Sequence, residues 1–332
     1  MVFKPSEYTP AVGNWLAARF AEAVPEQPVF QVVSGTGDTG ATLTRAGVDK
    51  LAFTGSTATG KKVMAGCAET LTPVLLECGG KDAMIIDADA DPDQAAAAAV
   101  WGGITNAGQT CAGIERVYVA DAVYDAFLDR LVDRAARLKV GVDEDSDVGP
   151  ITMPAQLDVI RQHIADGLAR GGRAVLGGSD SVAAPYAYPT ILVDVPEDAE
   201  AVQEETFGPT LTVARVPDAE EGVRLANASR YGLGGAVFSR SRGIALARQL
   251  RSGMTSVNSA ISFAGQPSLP FGGVGDSGFG RIHGADGLRE FSRPKAITKR
   301  RLPSPLPSLS FDRSPRQVRL ITRAIQLIHR GM

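Results

Sequence analysis

Cys111 stands in Asn106-Ala-Gly-Gln-Thr-Cys-Ala-Gly113, a loop whose glycines on both sides keep a thiol accessible and let a reactant approach the backbone. Glu77 closes the apolar run of TPVLLECGGK, just before Gly79 and Gly80. An acid there is costly to bury unless it reaches a cleft, solvent or a partner. A thiol nucleophile together with a carboxylate able to activate water suits covalent acyl chemistry. The structural alternatives are a packing thiol and a capped or paired acid. Cys67, in an amphipathic helical pattern, and Cys78, in an apolar strand, read as inert packing groups. His163, His283 and His329 are scattered and match no Cys–His dyad, and no residue pattern with metal-ligand spacing stands out, so no metal is expected.

Two glycine loops point to a phosphate. Gly35-Thr-Gly37-Asp-Thr-Gly40 follows a strand pattern and precedes a helical one. Such a turn lets backbone N–H groups meet a pyrophosphate at a helix N-terminus. Gly55-Ser56-Thr57-Ala-Thr-Gly60 repeats that context one βα unit later, with the Ser56 hydroxyl as an added donor. Its plainer reading is an N-cap followed by a close-packing glycine. Lys4 and Glu7 close the first extended segment. An acid at that position can accept from both hydroxyls of an adenosine ribose and would repel a 2′-phosphate; the alternative is a surface salt bridge.

These groups need a scaffold, and the chain is long enough to build one. Its 332 residues suit two domains. With 44% hydrophobic and 21% charged residues it is neither disordered nor polytopic. No apolar run approaches the ~20 residues of a membrane span, and MVFKPSEYTP does not resemble a signal peptide. Three cysteines are too few for a disulfide framework, so the expected compartment is the cytoplasm. The net charge of −3 hides an asymmetry: from Arg293 onward the chain is +9, and residues 1–292 are −12. An acidic body argues against nucleic acid as a partner.

Strand and helix patterns alternate throughout, which predicts a parallel sheet covered on both faces. Helices are expected over TPAVGNWLAARFAEA, with Thr9 as N-cap and Pro10 at N1, and over TATGKKVMAGCAETL and DQAAAAAVWGGITNAG. Further helices are expected over AVYDAFLDRLVDRAARLKV, PAQLDVIRQHIADGLARGG, residues 218–231 and residues 241–251. PVFQVVS, TPVLLECGG and GGAVFS read as strands. Residues 302–315 read as a Pro/Ser linker before a last helix over 315–329.

LLECGGKDAMIIDADAD and NAGQTCAGIERVYV resemble the glutamate and cysteine motifs of the aldehyde dehydrogenase superfamily, and the resemblance extends over residues 1–301. FKPSEYTP, KLAFTGSTATG, EETFGP and LPFGGVGDSGFGR match further motifs in the family's order. The resemblance implies an α/β fold with a partial Rossmann-like cofactor domain (1–79) and a second α/β catalytic domain (80–276). A return segment with an oligomerisation strand (277–301, the strand at 296–301) and a linker plus basic amphipathic helix (302–332) would follow. It implies that Cys111 attacks an aldehyde, that hydride passes to NAD, with NADP possible, and that Glu77 activates the hydrolytic water. Lys4 and Glu7 would hold the adenosine ribose and Ser56, after Gly55, the pyrophosphate. Gly40 would flank the cofactor, Glu205 would bind the nicotinamide ribose, and Phe207 would pack near the ring.

The sequence departs from the family pattern at both ends. Met1 falls inside it, so the first part of the cofactor domain is expected to be missing, with an oxyanion-hole asparagine and a hairpin that supports oligomers. Loss of one oxyanion donor costs on the order of 10²–10³ in rate in a comparable case, so the isolated chain is expected to turn over little or not at all. A homo-oligomer is expected of the full-length form. Beyond Arg301, the apolar and arginine faces of the last helix suggest either docking on protein or contact with a membrane surface through residues 315–330. By the same resemblance, residues 258–273 line the substrate entrance. They carry no Lys or Arg, which favours an apolar aliphatic or aromatic aldehyde. Succinate semialdehyde, a CoA-acylating reaction and a catalytically impaired fragment that binds nucleotide or a partner are the alternatives.

Overall fold

The computed structural model describes residues 1–302, 311 and 314–329. Most of the expected linker, and Arg330 of the expected basic face, lie outside the described residues. The first layer opens with β1 (Val2–Phe3), α1 (Pro10–Ala23), β2 (Gln31–Val32), α2 (Gly37–Thr44), β3 (Leu51–Gly55), α3 (Thr57–Ala68) and β4 (Val74–Cys78). The second holds β5 (Asp82–Ile86), α4 (Pro92–Ile104), β6 (Ile114–Ala120), α5 (Tyr124–Ala136), α6 (Pro154–Ala169), β7 (Arg173–Leu176), β8 (Val182–Ala183) and β9 (Tyr186–Ala187). It continues through β10 (Thr190–Val193), α7 (Glu200–Gln203), β11 (Thr210–Val216), α8 (Ala219–Asn227), β12 (Gly235–Phe238), α9 (Gly243–Ala247) and β13 (Ser256–Val257). β14 (Gly278–Phe279), α10 (Gly284–Glu290) and α11 (Pro315–Ile328) complete the described elements. Residues 1–292 form one compact unit, and residues from 293 onward belong to a second.

The larger sheet has the order β13-β12-β5-β6-β11-β10-β7, parallel except for the β10–β7 edge. Alternate residues of β5 face opposite sides, as strand geometry requires. Met84 and Ile86 join the core under α4, α5 and α6, while Ala83 and Ile85 join the one under α8 and α9. The smaller sheet, β14-β4-β3, pairs β3 parallel to β4 and brings β14 back antiparallel along β4. Gly79, Gly80 and Lys81 are the short crossing between the two sheets.

Several expected elements are shorter than their patterns. The strand expected over PVFQVVS contracts to β2, because β1 offers only two residues to pair with. Pro10 takes the first helical position of α1, but the Thr9 side chain makes no capping bond. The helix expected to run to Gly108 stops at Ile104: Asn106 and Ala107 take φ of 54° and 57°, which a right-handed helix cannot accommodate. The helices expected over 218–231 and 241–251 shorten to α8 and α9. No strand forms at 296–301.

Candidate active site

Glu77 is in register with Thr54 of β3 on one side and Gly278 of β14 on the other. It is only 5% exposed, and its Oε1 has no hydrogen-bond partner. Burial lifts its carboxyl to about 7, against the opposing charge of Arg281. A glycine makes room for it: a Cβ on Gly272 would lie 2.8 Å from Glu77 Oε1 and 3.1 Å from Arg281 Nη1.

The Cys111 loop is built by the left-handed residues that end α4. Asn106 and Gln109 tie it together reciprocally, each side-chain amide donating to the other's carbonyl at 2.9 and 3.0 Å. Gly108 packs on the backbone of Gly208, where a Cβ would come within 2.1 Å of the carbonyl. Cys111 is half-buried and packs on an apolar collar of Ala112, Leu233, Met254 and Phe263, which Ile261 and Phe271 extend. Burial pushes its thiol up to about 11, and the charges of Asp82, Glu205 and Glu77 act in the same direction. The sulfur therefore shares its surroundings with three carboxylates.

Glu205 is the second member of this group. Gly80 N–H donates to its Oε1 at 3.1 Å. A Cβ on Gly79 would sit 1.9 Å from its Oε2, so only glycine lets this carboxylate lie across the crossing. Burial lifts Glu205 to about 8. Phe207 follows with a φ of 47°, and a buried network below holds that strained turn. Glu115 accepts from Thr206 N–H at 2.8 Å and Phe207 N–H at 2.9 Å. Lys81 pairs with Glu115 and donates to Thr206 Oγ1 at 3.0 Å. His163 Nδ1 lies 3.0 Å from the same hydroxyl, and burial pulls the imidazole pKa down. Thr206 Oγ1 thus accepts from the lysine and shares a second hydrogen bond with the histidine ring.

Sequence reasoning did not single out Lys81, Asp82, Glu115, Thr206 or Arg281. A usable signal was present: charged pairs, Lys81-Asp82 and Glu115-Arg116, interrupt segments otherwise apolar enough to be buried. Asp82 is 2% exposed, its Oδ2 lacks a partner, and burial raises its carboxyl to about 7. Asp82→Asn keeps the shape and removes the charge nearest the thiol in effect. The expected result is a Cys111 alkylation profile displaced towards lower pH; an unchanged midpoint would show that this carboxylate does not act on the sulfur.

The remaining predicted residues lie at the first layer's loops. Lys4 and Glu7 pair with each other at 3.3 Å. A Cβ on Gly40 would lie 3.8 Å from Lys4 Cδ, which places the start of α2 beside the lysine. Ser56 caps α3 by accepting from Thr59 N–H at 3.3 Å. A Cβ on Gly55 would meet the Phe53 ring at 2.6 Å, and one on Gly60 would meet Cys78 Sγ at 2.9 Å. The structure thus brings Cys111, Glu77 and Glu205 together, with Phe207 on the adjoining turn, and keeps Lys4 and Glu7 in the loop after β1, Gly40 within α2, and Gly55 and Ser56 at the β3–α3 turn. Among the described residues no group of three or more His, Cys, Asp or Glu could hold a metal ion.

Residues 1–297 match the Aldehyde dehydrogenase family. The chain belongs to that family. This aldehyde dehydrogenase family member is 41% identical over 307 residues to 4,4'-diapolycopene aldehyde oxidase of a Methylomonas species, covering 91% of this chain and 58% of the relative. An NAD-dependent aldehyde dehydrogenase from Sinorhizobium meliloti superposes with a TM-score of 0.87 at 35% identity, covering 92% of this chain and 62% of that one. An NADP-dependent enzyme from E. coli gives a TM-score of 0.84 at 36% identity, with 88% and 62% covered. The chain therefore spans less than two thirds of the length of these relatives.

Proposed function

We propose that this chain carries the acyl-transfer chemistry of an NAD(P)-dependent aldehyde dehydrogenase, oxidising an aldehyde to a carboxylic acid through Cys111. The observation that carries the reading is the half-buried Cys111 thiol in the same surroundings as an orphaned, buried Glu77 that titrates near neutrality. A thiol pushed up to about 11 is protonated at rest, so it needs a base to attack. As sulfur bonds to the aldehyde carbon its proton passes to one of the carboxylates around it, Asp82, Glu205 or Glu77, and from there to solvent. Once the carbon is at the acyl level, the Glu77 carboxylate, at about 7, takes a proton from water, which attacks the thioester and expels the sulfur. NAD(P)⁺, when bound, supplies the hydride acceptor.

The residues present fit that cofactor. Glu205 lies against Gly79, where any side chain would displace its carboxylate; from there the carboxylate would accept from the nicotinamide ribose and Phe207 would flank the ring. Ser56 and the first turn of α3 would take the pyrophosphate, with Gly55 and Gly40 alongside. Lys4 and Glu7 would hold the adenosine ribose, and Glu7 favours NAD, with NADP the alternative. On this reading residues 1–79 serve the cofactor and 80–276 the substrate. The apolar collar and the absence of Lys or Arg from residues 258–273 favour an aliphatic or aromatic aldehyde over succinate semialdehyde. The name of the Methylomonas relative accords with an apolar substrate. Residues 296–301, unpaired in one chain, would meet a second copy in a homo-oligomer, and the proposed compartment is the cytoplasm.

A single turnover tests this. Incubation with NAD⁺ or NADP⁺ and decanal or benzaldehyde should leave an acyl mass on Cys111 that accumulates in Glu77→Gln and is absent from Cys111→Ala. Acylation elsewhere, or reduced cofactor formed equally by Cys111→Ala, would defeat the assignment. Stronger labelling by succinate semialdehyde would defeat only the substrate preference.

A further inference from the structure

Helix α11 runs over Pro315–Ile328 and has a complete N-terminal signal. Ser314 Oγ accepts from Gln317 N–H at 3.3 Å, and Gln317 Oε1 accepts from Ser314 N–H at 2.8 Å, with Pro315 in the first turn. So firm a start argues for a helix that forms in its own right. Its composition is one-sided. Arg316, Arg319 and Arg323 are its only charged residues, and it contains no Asp or Glu.

At about 100° per residue, the three arginines share one face. Val318, Ile321, Ala324, Ile325 and Ile328 share the opposite one, and Leu320 and Leu327 lie along the border. The apolar side is exposed: Val318, Leu320, Ile325, Leu327 and Ile328 are 45%, 56%, 53%, 68% and 72% accessible. Leaving several large aliphatic side chains in water forfeits the burial that normally stabilises an amphipathic helix.

The aliphatic face needs cover, whereas water already solvates the arginines; a cover that also meets their charge gains more than one that does not, and that difference selects among occupants. An acidic protein surface would satisfy the arginines and leave the aliphatic face in water. An apolar protein groove would do the reverse. A bilayer with anionic headgroups offers a negative layer directly above an apolar one, and a helix lying in its plane satisfies both faces. With 14 residues α11 is too short to cross, and among the described residues no helix is long and apolar enough to do so.

We propose that α11 is an in-plane membrane-surface helix whose aliphatic face enters the acyl boundary of an anionic bilayer while Arg316, Arg319 and Arg323 engage its headgroups. This does not rest on the enzymatic reading. It adds a place of action, because an apolar aldehyde partitions into the same layer.

Co-sedimentation of the full chain with vesicles tests it, using phosphatidylcholine alone and phosphatidylcholine mixed with phosphatidylglycerol. Binding to the mixed vesicles is expected, and it should fall steeply as salt is raised to about 1 M. The triple variant Arg316→Gln/Arg319→Gln/Arg323→Gln should lose about a hundredfold in partitioning. Ile325→Glu, in the middle of the aliphatic face, should abolish binding. Thermal melting of both variants controls for folding, since every substituted side chain is exposed or borders water. No binding by the wild-type chain, or binding that survives both changes, would overturn the proposal. So would Ile325→Glu dissolving an oligomer while vesicles bind neither form, which would assign the face to a second copy.

Discussion

Glu77→Gln is expected to leave acylation of Cys111 possible, to slow release of the acyl group by about 10²–10⁴-fold, and to make the protein more heat-stable near pH 8. The kinetic part follows from removing the carboxylate assigned to activate the hydrolytic water. Wild-type hydrolysis should rise with pH through about 7, where Glu77 ionises, and the variant should lack that limb. The stability part follows from linkage. Burial raises the folded carboxyl above the unfolded value of 4.5 to about 7. Its contribution is therefore intact below about pH 4.5 and is lost as pH rises through 7. Near pH 8 the penalty is on the order of 3 kcal/mol. Glutamine removes it and pays only for desolvating a neutral amide. Melting curves at pH 5 and pH 8 check this: the wild type should lose more stability than the variant between them, and parallel losses would contradict it.

Lys81→Met is expected to destabilise the protein by about 3–5 kcal/mol, because it leaves Glu115 charged and uncompensated in the interior. Lys81 is 1% exposed and Glu115 is 4%, so water cannot replace the lost partner. The damage should spread to the Thr206–Phe207 turn, whose two N–H groups are held by that carboxylate. Adding Glu115→Leu should restore part of the loss and no more, since those two N–H groups then become orphans. Urea unfolding of the two single variants and the double variant measures the coupling. A Lys81→Met protein as stable as the wild type would show that the pair is dispensable.

Much of this was legible in residue order, and the losses have identifiable causes. The alternation of strand and helix patterns, the two glycine turns, and Cys111 and Glu77 stand out because each is a local feature: an apolar run, a turn residue, or a polar residue where none belongs. Element lengths were less legible. β2 is as short as its partner, and α4 ends where two left-handed residues turn the chain, neither of which propensity reveals. The support beneath Phe207 was invisible for another reason. Lys81, Glu115, His163 and Thr206 come from four separate segments, and only the pairing of β5 with β6, with α6 beside them, creates the network. Local pattern shows charges within apolar segments; tertiary pairing shows whom they face.

The acid and the sulfur hang from different sheets. Glu77 belongs to β4 of the three-stranded sheet, whereas Cys111 and Glu205 sit on loops of the seven-stranded one, and the chain passes between them through two consecutive glycines. In the proposed reaction this divides the labour mechanically. In that arrangement a slight slippage of one layer over the other, from cold, a distant substitution or a bound ligand, would part Cys111 both from the water-activating acid and from a cofactor held by residues 1–79. Its kinetic fingerprint would be a smaller initial burst followed by a slower steady state.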